Sequence, residues 1–296
     1  MVPTTLYHIE YQQFCDRVAG DPHEDFSKVI THVRLQRTAK TRSDWANRIE
    51  TRTFILLALD VLHRSYFREE AQRSPDDSEI VFPGVGPERL VAHASDVIQD
   101  PDEAARLSRQ LWHDNWSNQA NFNKDLFAFL FRPAPHVART EACQQQLRHL
   151  IADGPPRLGT LVRHGVETEL KAVLDDPLAD LEAFAEALFP RNSEVQKHAQ
   201  LLDAAVREAW TNFYQVVLPA YGLAEPFHGD WNDLGLAFTT VAEGVLQRAR
   251  KRPEHSYELM SNGDDVMATT IISTIANRFD VAPRLIENAE LQHPLT

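Results

Sequence analysis

Apolar positions along this chain recur at intervals of three and four, and strand-like alternation is hard to find. The strongest case is TRTFILLALDVLHRSYF (51–67), where Ile55, Leu56, Ala58, Leu59 and Leu62 share a broad face. A short helix is expected at 6–18, and a second after Pro22. Further helices are expected at 88–98, 102–114, 118–131, 138–152, 155–174, 177–188, 193–218, 231–250 and 265–278. Asp100 or Asp102, Ser117, Asp176, Asp230 and Asp264 stand where N-caps belong, and Ser193 with Gln196 has capping-box spacing. Pro219 is expected to break the helix that precedes it, and FPGVGP (82–87) reads as a turn within a loop at 68–87. The fold class is therefore all-α, a helical bundle.

RPAP (132–135) is the best boundary between an N-terminal and a C-terminal block. The expected organisation is a helical extension over 1–50, a helical domain over 51–133 and a helical bundle over 138–280. Residues 281–296 are expected to be a loose tail or a short extra helix. In LGLAFTTVAEGVLQRARKRPE (234–254), Leu236, Phe238, Val241, Val245 and Leu246 spread around more than one stripe. That suits a helix packed among others or lying at a subunit interface. Gly244 costs roughly 1 kcal/mol against alanine inside such a helix, and either a close helix crossing or simple tolerance would explain its presence.

Charge changes this picture locally. The chain of 296 residues carries a net charge of -13, which disfavours indiscriminate attraction to nucleic acid or to anionic membranes. Yet segment 31–52 holds Arg34, Arg37, Lys40, Arg42, Arg48 and Arg52 against only Asp44 and Glu50, a local +4. Such a run suits either a phosphate-gripping arm, with Trp45 anchoring it, or a solvated face. Two cysteines, Cys15 and Cys143, fit reduced thiols better than a disulfide framework. The segment MVPTTLYHIEYQQF lacks a basic region followed by an apolar core, and no run of 18 apolar residues occurs. A cytoplasmic protein without a membrane span is expected.

The order EAWTNFYQVVLPAYGL, a short loop, then WNDLGLAFTTVAEGVLQRARKRPE resembles the ligand-binding and dimerisation half of TetR/AcrR-type transcriptional regulators. Trp210, Phe213, Tyr214, Leu218, Gly222, Trp231, Leu234, Ala242, Glu243, Gly244 and Arg248 fall on that pattern, and DVMATTIISTIANRF would be the closing helix. The resemblance covers 140–280. It implies a homodimer that binds a small apolar or amphipathic effector beside the dimer bundle and double-stranded operator DNA through an N-terminal helix-turn-helix. The stretch at 51–67 is similar to the family's first DNA-binding helix, and SNQANFNKDLFAFL (117–130) stands where the recognition helix and the following helix are expected. The chain departs from the family in starting this unit near Thr51 rather than within the first 50 residues. No glycine-containing turn precedes Ser117 either.

The residues expected to contact DNA are Arg34, Arg37, Lys40 and Arg42 in the basic run, with Asn118, Gln119, Asn121 and Lys124 on the polar side of their helix. Trp116 and Phe122 would support them from the core, while His113 and Asp114 read as surface or cap residues. An effector pocket is expected to be lined by Leu161, Val166, Phe184, Phe213, Tyr214, Val217 and Phe238. Aromatic residues at such spacing are also ordinary core. No cofactor or metal is expected.

Two other readings compete. One is a helical sensor or protein-interaction module without DNA binding. The other, less favoured, is a metal-dependent enzyme acting on a diphosphate substrate, suggested by Asp175, Asp176 and Asp180 and by Asn232 and Asp233. That site would need two complete facing clusters, and Leu236 stands where a hydroxyl is required. The 13 histidines are scattered, without metal-ligand spacing.

Overall fold

The computed structural model describes residues 4–21, 23–65, 85–223, 228–251 and 266–295. It is all-α, and no strand occurs among the described residues. The helices are α1 (Thr4–Val18), α2 (Ala39–Ala46), α3 (Ile49–His63), α4 (Pro87–Val97), α5 (Pro101–Arg106), α6 (Arg109–Trp116) and α7 (Gln119–Leu130). They continue with α8 (Pro133–Asp153), α9 (Leu158–Leu174), α10 (Pro177–Leu188), α11 (Ser193–Ala220), α12 (Trp231–Lys251), α13 (Val266–Arg278) and α14 (Pro283–Asn288). Among the described residues no helix is long and apolar enough to cross a membrane. The expected loop at 68–87 falls largely outside the described residues, as does the expected cap Asp264.

The chain forms two units. The first holds Met1–Arg132 and Asp176–Ala199, the second Pro133–Asp175 and Gln200–Thr296. The helix at 177–188, expected in the C-terminal bundle, packs on α1, α3 and α7 of the first unit.

In the first unit α3 is the central strut. Phe54, Ile55, Leu57, Ala58 and Leu59 are completely buried, which explains the apolar run that marked this helix. Asp60 on the same helix is buried too, and its carboxylate receives Arg64 Nε at 2.8 Å and lies 2.8 Å from His93 Nε2 on α4. Arg132 is 1% exposed. It donates to Val18 O (2.6 Å) and Phe129 O (2.9 Å), meets Glu24 at 3.4 Å and lies over the Phe129 ring. Burial lowers its pKa to about 10. In place of a helix after Pro22 there is only a 3-10 turn, Phe26–Lys28, capped by Asp25.

The single helix expected at 102–114 is two helices. Ser108 accepts the Leu111 N–H at 3.1 Å and starts α6, so the chain bends at Leu107–Ser108. Ser117 is not an N-cap but the C-cap of α6, its N–H donating to His113 O at 2.8 Å. It adopts a left-handed conformation (φ 62°), and Asn118 caps α7 by accepting the Asn121 N–H. Asn192, rather than Ser193, caps α11 through the N–H groups of Glu194 and Val195, while Gln196 donates to Pro190 O. Pro219 lies inside the last turn of α11, which ends one residue later. The prolines of RPAP open α8, since a first-turn proline lacks only an N–H that has no helical partner, and one boundary between the two units falls here, between Arg132 and Pro133. Asp100, Asp176 and Asp230 each accept a backbone N–H two residues on, as their positions predict.

The second unit has an apolar core built from α8, α9, α11, α12, α13 and α14, including Leu147, Leu161, Phe213, Leu234, Ile271 and Ile275. Its C-terminal segment is tightly docked rather than loose. Ile286 is completely buried, Leu158 N–H donates to Ala289 O, and Gln292 N–H donates to Ala220 O. Tyr221 Oη donates to Pro156 O at 2.9 Å, and Arg163 meets Glu287 at 2.6 Å. Here α9 and α14 approach so closely that a Cβ on Gly159 would sit 2.8 Å from Glu287 Cα. A Cβ on Gly244 would meet nothing within 4 Å, so tolerance, not a close crossing, accounts for that glycine.

Two predictions follow from this packing. Gly159→Ala lowers the thermal midpoint, because the obstructing atoms are backbone, whereas Gly244→Ala stabilises by about 0.5–1 kcal/mol. Thermal unfolding of both variants checks this, and a neutral Gly159→Ala would remove the close approach as a constraint. Both thiols are free, and burial pushes Cys15 and Cys143 up to about 12. Burial therefore slows both thiols at pH 8: a thiol-disulfide reagent labels buried Cys143 only after denaturation, and half-buried Cys15 more slowly than in the unfolded chain.

Candidate nucleic-acid interface

The candidate interface is built on one buried carboxylate. Asp125, on α7, is fully buried and accepts the backbone N–H groups of Thr31 and His32, both at 2.9 Å, and Trp116 Nε1–H at 2.9 Å. His32 Nδ1 lies 3.0 Å from the same carboxylate. An N-terminal loop, the end of α6 and the middle of α7 therefore meet at one acceptor. Packed around it in tilted and edge-on contacts are Trp112, Trp116 and Phe122, with centroid separations of 4.8–6.0 Å, and the edge-on pair Phe54–Trp116. Asn115 Nδ2 reaches Thr51 Oγ1 at 3.3 Å, tying α6 to α3.

With Trp112, Asn115 and Trp116 turned inward, α6 presents Arg109, Gln110, His113 and Asp114 to solvent. The basic run joins this helix at its C-terminal end. Arg34 N–H donates to Asn115 O at 2.7 Å, and its guanidinium lies 3.6 Å from Asp114 and 4.0 Å above Trp45. Arg34 adopts a left-handed backbone (φ 51°), which turns the chain toward α2. Arg48 covers the Trp45 ring at 3.6 Å, and Arg52 lies over Phe26 and donates to Glu24 O.

The expected DNA contacts divide accordingly. Arg37 and Lys40 are exposed, and half-buried Arg42 donates to Arg37 O at 3.1 Å. Arg34 is a clamp rather than a free cation. Asn118, Gln119 and Asn121 are committed locally. Asn118 caps α7, Gln119 donates to Asn123 Oδ1 at 2.8 Å, and Asn121 donates to Trp116 O at 3.0 Å. Lys124 is half-buried. A second polar face stands on α6 through Arg109, Gln110 and His113, with Arg109 paired with Glu88 and Gln110 donating to Asp114 Oδ1 at 2.9 Å. Its signal was present in SRQLWHDNW, where a cap precedes Trp112 and Trp116 four residues apart. Reading 102–114 as one helix concealed it.

Of the expected effector residues, Leu161, Val166, Phe213, Val217 and Phe238 lie together in the second unit, each 5% exposed or less. Tyr214 stacks on Trp210 and meets Phe238 edge-on at 4.5 Å. Phe184 is on α10 and belongs to the first unit. Beside the apolar set stands a polar patch that sequence reasoning missed. Glu169 accepts from Thr140 Oγ1 at 3.4 Å and lies 3.9 Å from Arg139. Burial raises the Glu169 pKa despite Arg139, and burial also raises that of Tyr214. Glu169 Oε2 has no hydrogen-bond partner among the described residues. Single polar residues on core helices carry no periodic signal, so only packing identifies such a patch.

The acidic cluster separates into structural parts. Asp175 terminates α9, Asp176 caps α10, and the two belong to different units. No group of three or more His, Cys, Asp or Glu residues is placed to hold a metal ion among the described residues.

Replacing Asp125 strands several buried donors at once. Asp125→Ala is expected to cost about 3 kcal/mol in denaturant unfolding and to expose the Trp116 indole to exchange. A loss below about 1 kcal/mol would refute the hub assignment. Compared with known protein families, with curated proteins and with solved structures, the chain gives no match.

Proposed function

We propose that this chain is a cytoplasmic DNA-binding transcriptional regulator that acts as a homodimer and responds to a small effector. The observation that carries this reading is the junction of α6 with the basic run. A short helix with an exposed face of Arg109, Gln110 and His113, Arg109 paired with Glu88 and Gln110 with Asp114, is tied at its C-terminal end by the Arg34–Asn115 and Arg34–Asp114 contacts to the segment that carries exposed Arg37 and Lys40. Base reading needs a helix with polar side chains standing off a rigid support, and backbone gripping needs nearby cations. Both are available on one unit.

In this reading α6 enters the major groove and the segment 37–42 follows the phosphates. The second unit supplies the effector site and the dimer contact. Its aromatic residues Phe213, Tyr214 and Phe238 would meet the apolar part of the effector, and Glu169 with Tyr214 would take a hydrogen-bond donor. The effector acts by binding two conformations of the dimer unequally, since equal binding shifts no equilibrium.

One observation favours the alternative of an interaction module without DNA binding. Asn118, Gln119 and Asn121 are used in capping and local hydrogen bonds, and the whole chain is strongly acidic.

Selection from a random double-stranded oligonucleotide library, followed by mobility shift across about 50–300 mM salt, distinguishes the two. The expected outcome is an enriched sequence bound with a steep salt dependence. Arg37→Ala and Lys40→Ala then each lower the salt slope by roughly one and weaken all sequences alike. Gln110→Ala instead reduces discrimination between sites by about 1–3 kcal/mol. No enrichment and no shift at the lowest salt would transfer the conclusion to the interaction module.

A further inference from the structure

The first unit also carries an open cleft of about 1140 Å³, lined by α1, the start of α3, the link from α4 to α5, and Phe129. Its apolar surface is unusual for being left in water. Ile9 on α1 is 51% exposed and Ile49 at the start of α3 is 64% exposed, and both line the cleft. Half-buried Leu56 and Ile98 extend this strip. Isolated exposed apolar residues need no explanation, but two exposed and two half-buried ones that line one concavity form a surface for an apolar ligand.

The charge of the lining sets the class of that ligand. Asp16, Asp100 and Glu103 bring carboxylates to the cleft. Asp100 is occupied in capping α5, whereas Gln12 engages only Oδ1 of the exposed Asp16, and Glu103 is exposed. The one arginine of the lining, Arg52, is committed to Glu24 O, to Asn47 Oδ1 and to the face of Phe26. His8 Nδ1 is held 2.7 Å from Val97 O. Cys15 and Tyr11 also line the cleft, and burial keeps both neutral. Available negative charge therefore stands beside exposed apolar surface, with no free positive group among these lining residues.

We infer that this cleft binds a small cationic amphiphile, with its apolar body on Ile9, Ile49, Leu56 and Ile98 and its ammonium group met by Asp16 and Glu103. The volume is at the upper end of typical small-molecule sites, which run to about 1,000 Å³, so a molecule of that size is accommodated without opening the fold. The site is separate from the α6 face and from the apolar core of the second unit. It stands whether or not α6 reads DNA.

Titration calorimetry on the full chain tests this with decyltrimethylammonium, kept below its micelle-forming concentration. Decyl sulfate and decyl maltoside serve as charge controls with the same tail. The expected result is saturable one-to-one binding of the ammonium compound, weaker binding of the maltoside and weakest of the sulfate. Asp16→Asn combined with Glu103→Gln weakens the ammonium compound by about tenfold and leaves the maltoside unchanged. Ile49→Ser weakens the ammonium and maltoside compounds alike. All three substituted side chains are exposed, and circular dichroism of each variant checks that the fold is kept. Equal affinity for the three head groups overturns the proposal, as does ammonium binding that neither variant alters. Binding of a basic amphipathic peptide without any binding of the ammonium compound overturns it too, and assigns the cleft to a protein partner.

Discussion

Much of the first unit depends on the solvation of a single charge. A carboxylate removed from water is costly unless donors replace the lost hydration, and Asp125 recovers them from a loop, an indole and a histidine. The loop donors lie more than ninety residues from Asp125 in sequence and the indole only nine, so satisfying the charge also sets their positions. The loop at 31–32 is held against α7, and the chain then turns at Arg34 to meet α6. Trp116 cannot rotate away without abandoning its bond to Asp125. The exposed side of α6 is thus determined by what its buried side must reach.

The same economy governs the arginines. A flexible basic arm would lose considerable conformational freedom on gripping phosphate. Here Arg34 and Arg48 sandwich Trp45, and Arg52 rests on Phe26, so part of the segment is ordered before any partner arrives. Guanidinium groups tolerate such stacking because they are planar and weakly hydrated. What remains for a polyanion is a smaller but better-placed set, chiefly Arg37 and Lys40. This offers a physical route by which an acidic chain presents a local basic surface.

The second unit is held by different means. Its core is apolar, and the C-terminal segment closes it through backbone hydrogen bonds to α9 and to the end of α11. The half-buried Glu169 and Tyr214 stand out against that background. Apolar neighbours favour their protonated forms, which suits hydrogen bonding more than charge pairing.

By itself the sequence determined the helical class and the position of most helices, because the period of burial in a helix is written directly into residue type. Caps such as Asp100, Asp176 and Asp230 were legible for the same local reason. The break at Ser108 was legible in principle, yet the apolar spacing runs across it and masks the cap. Three matters were decided only by tertiary structure. The α10 helix joins the first unit, since an amphipathic pattern says that a face is buried but not against what. Asn118, Gln119 and Asn121 became caps and local donors, and α6 gained an outward polar face, since exposure depends on which side the aromatic core takes. The pairing of Asp125 with residues 31–32 and Trp116 had no sequence signal, because hydrogen bonds between distant segments leave no periodic trace.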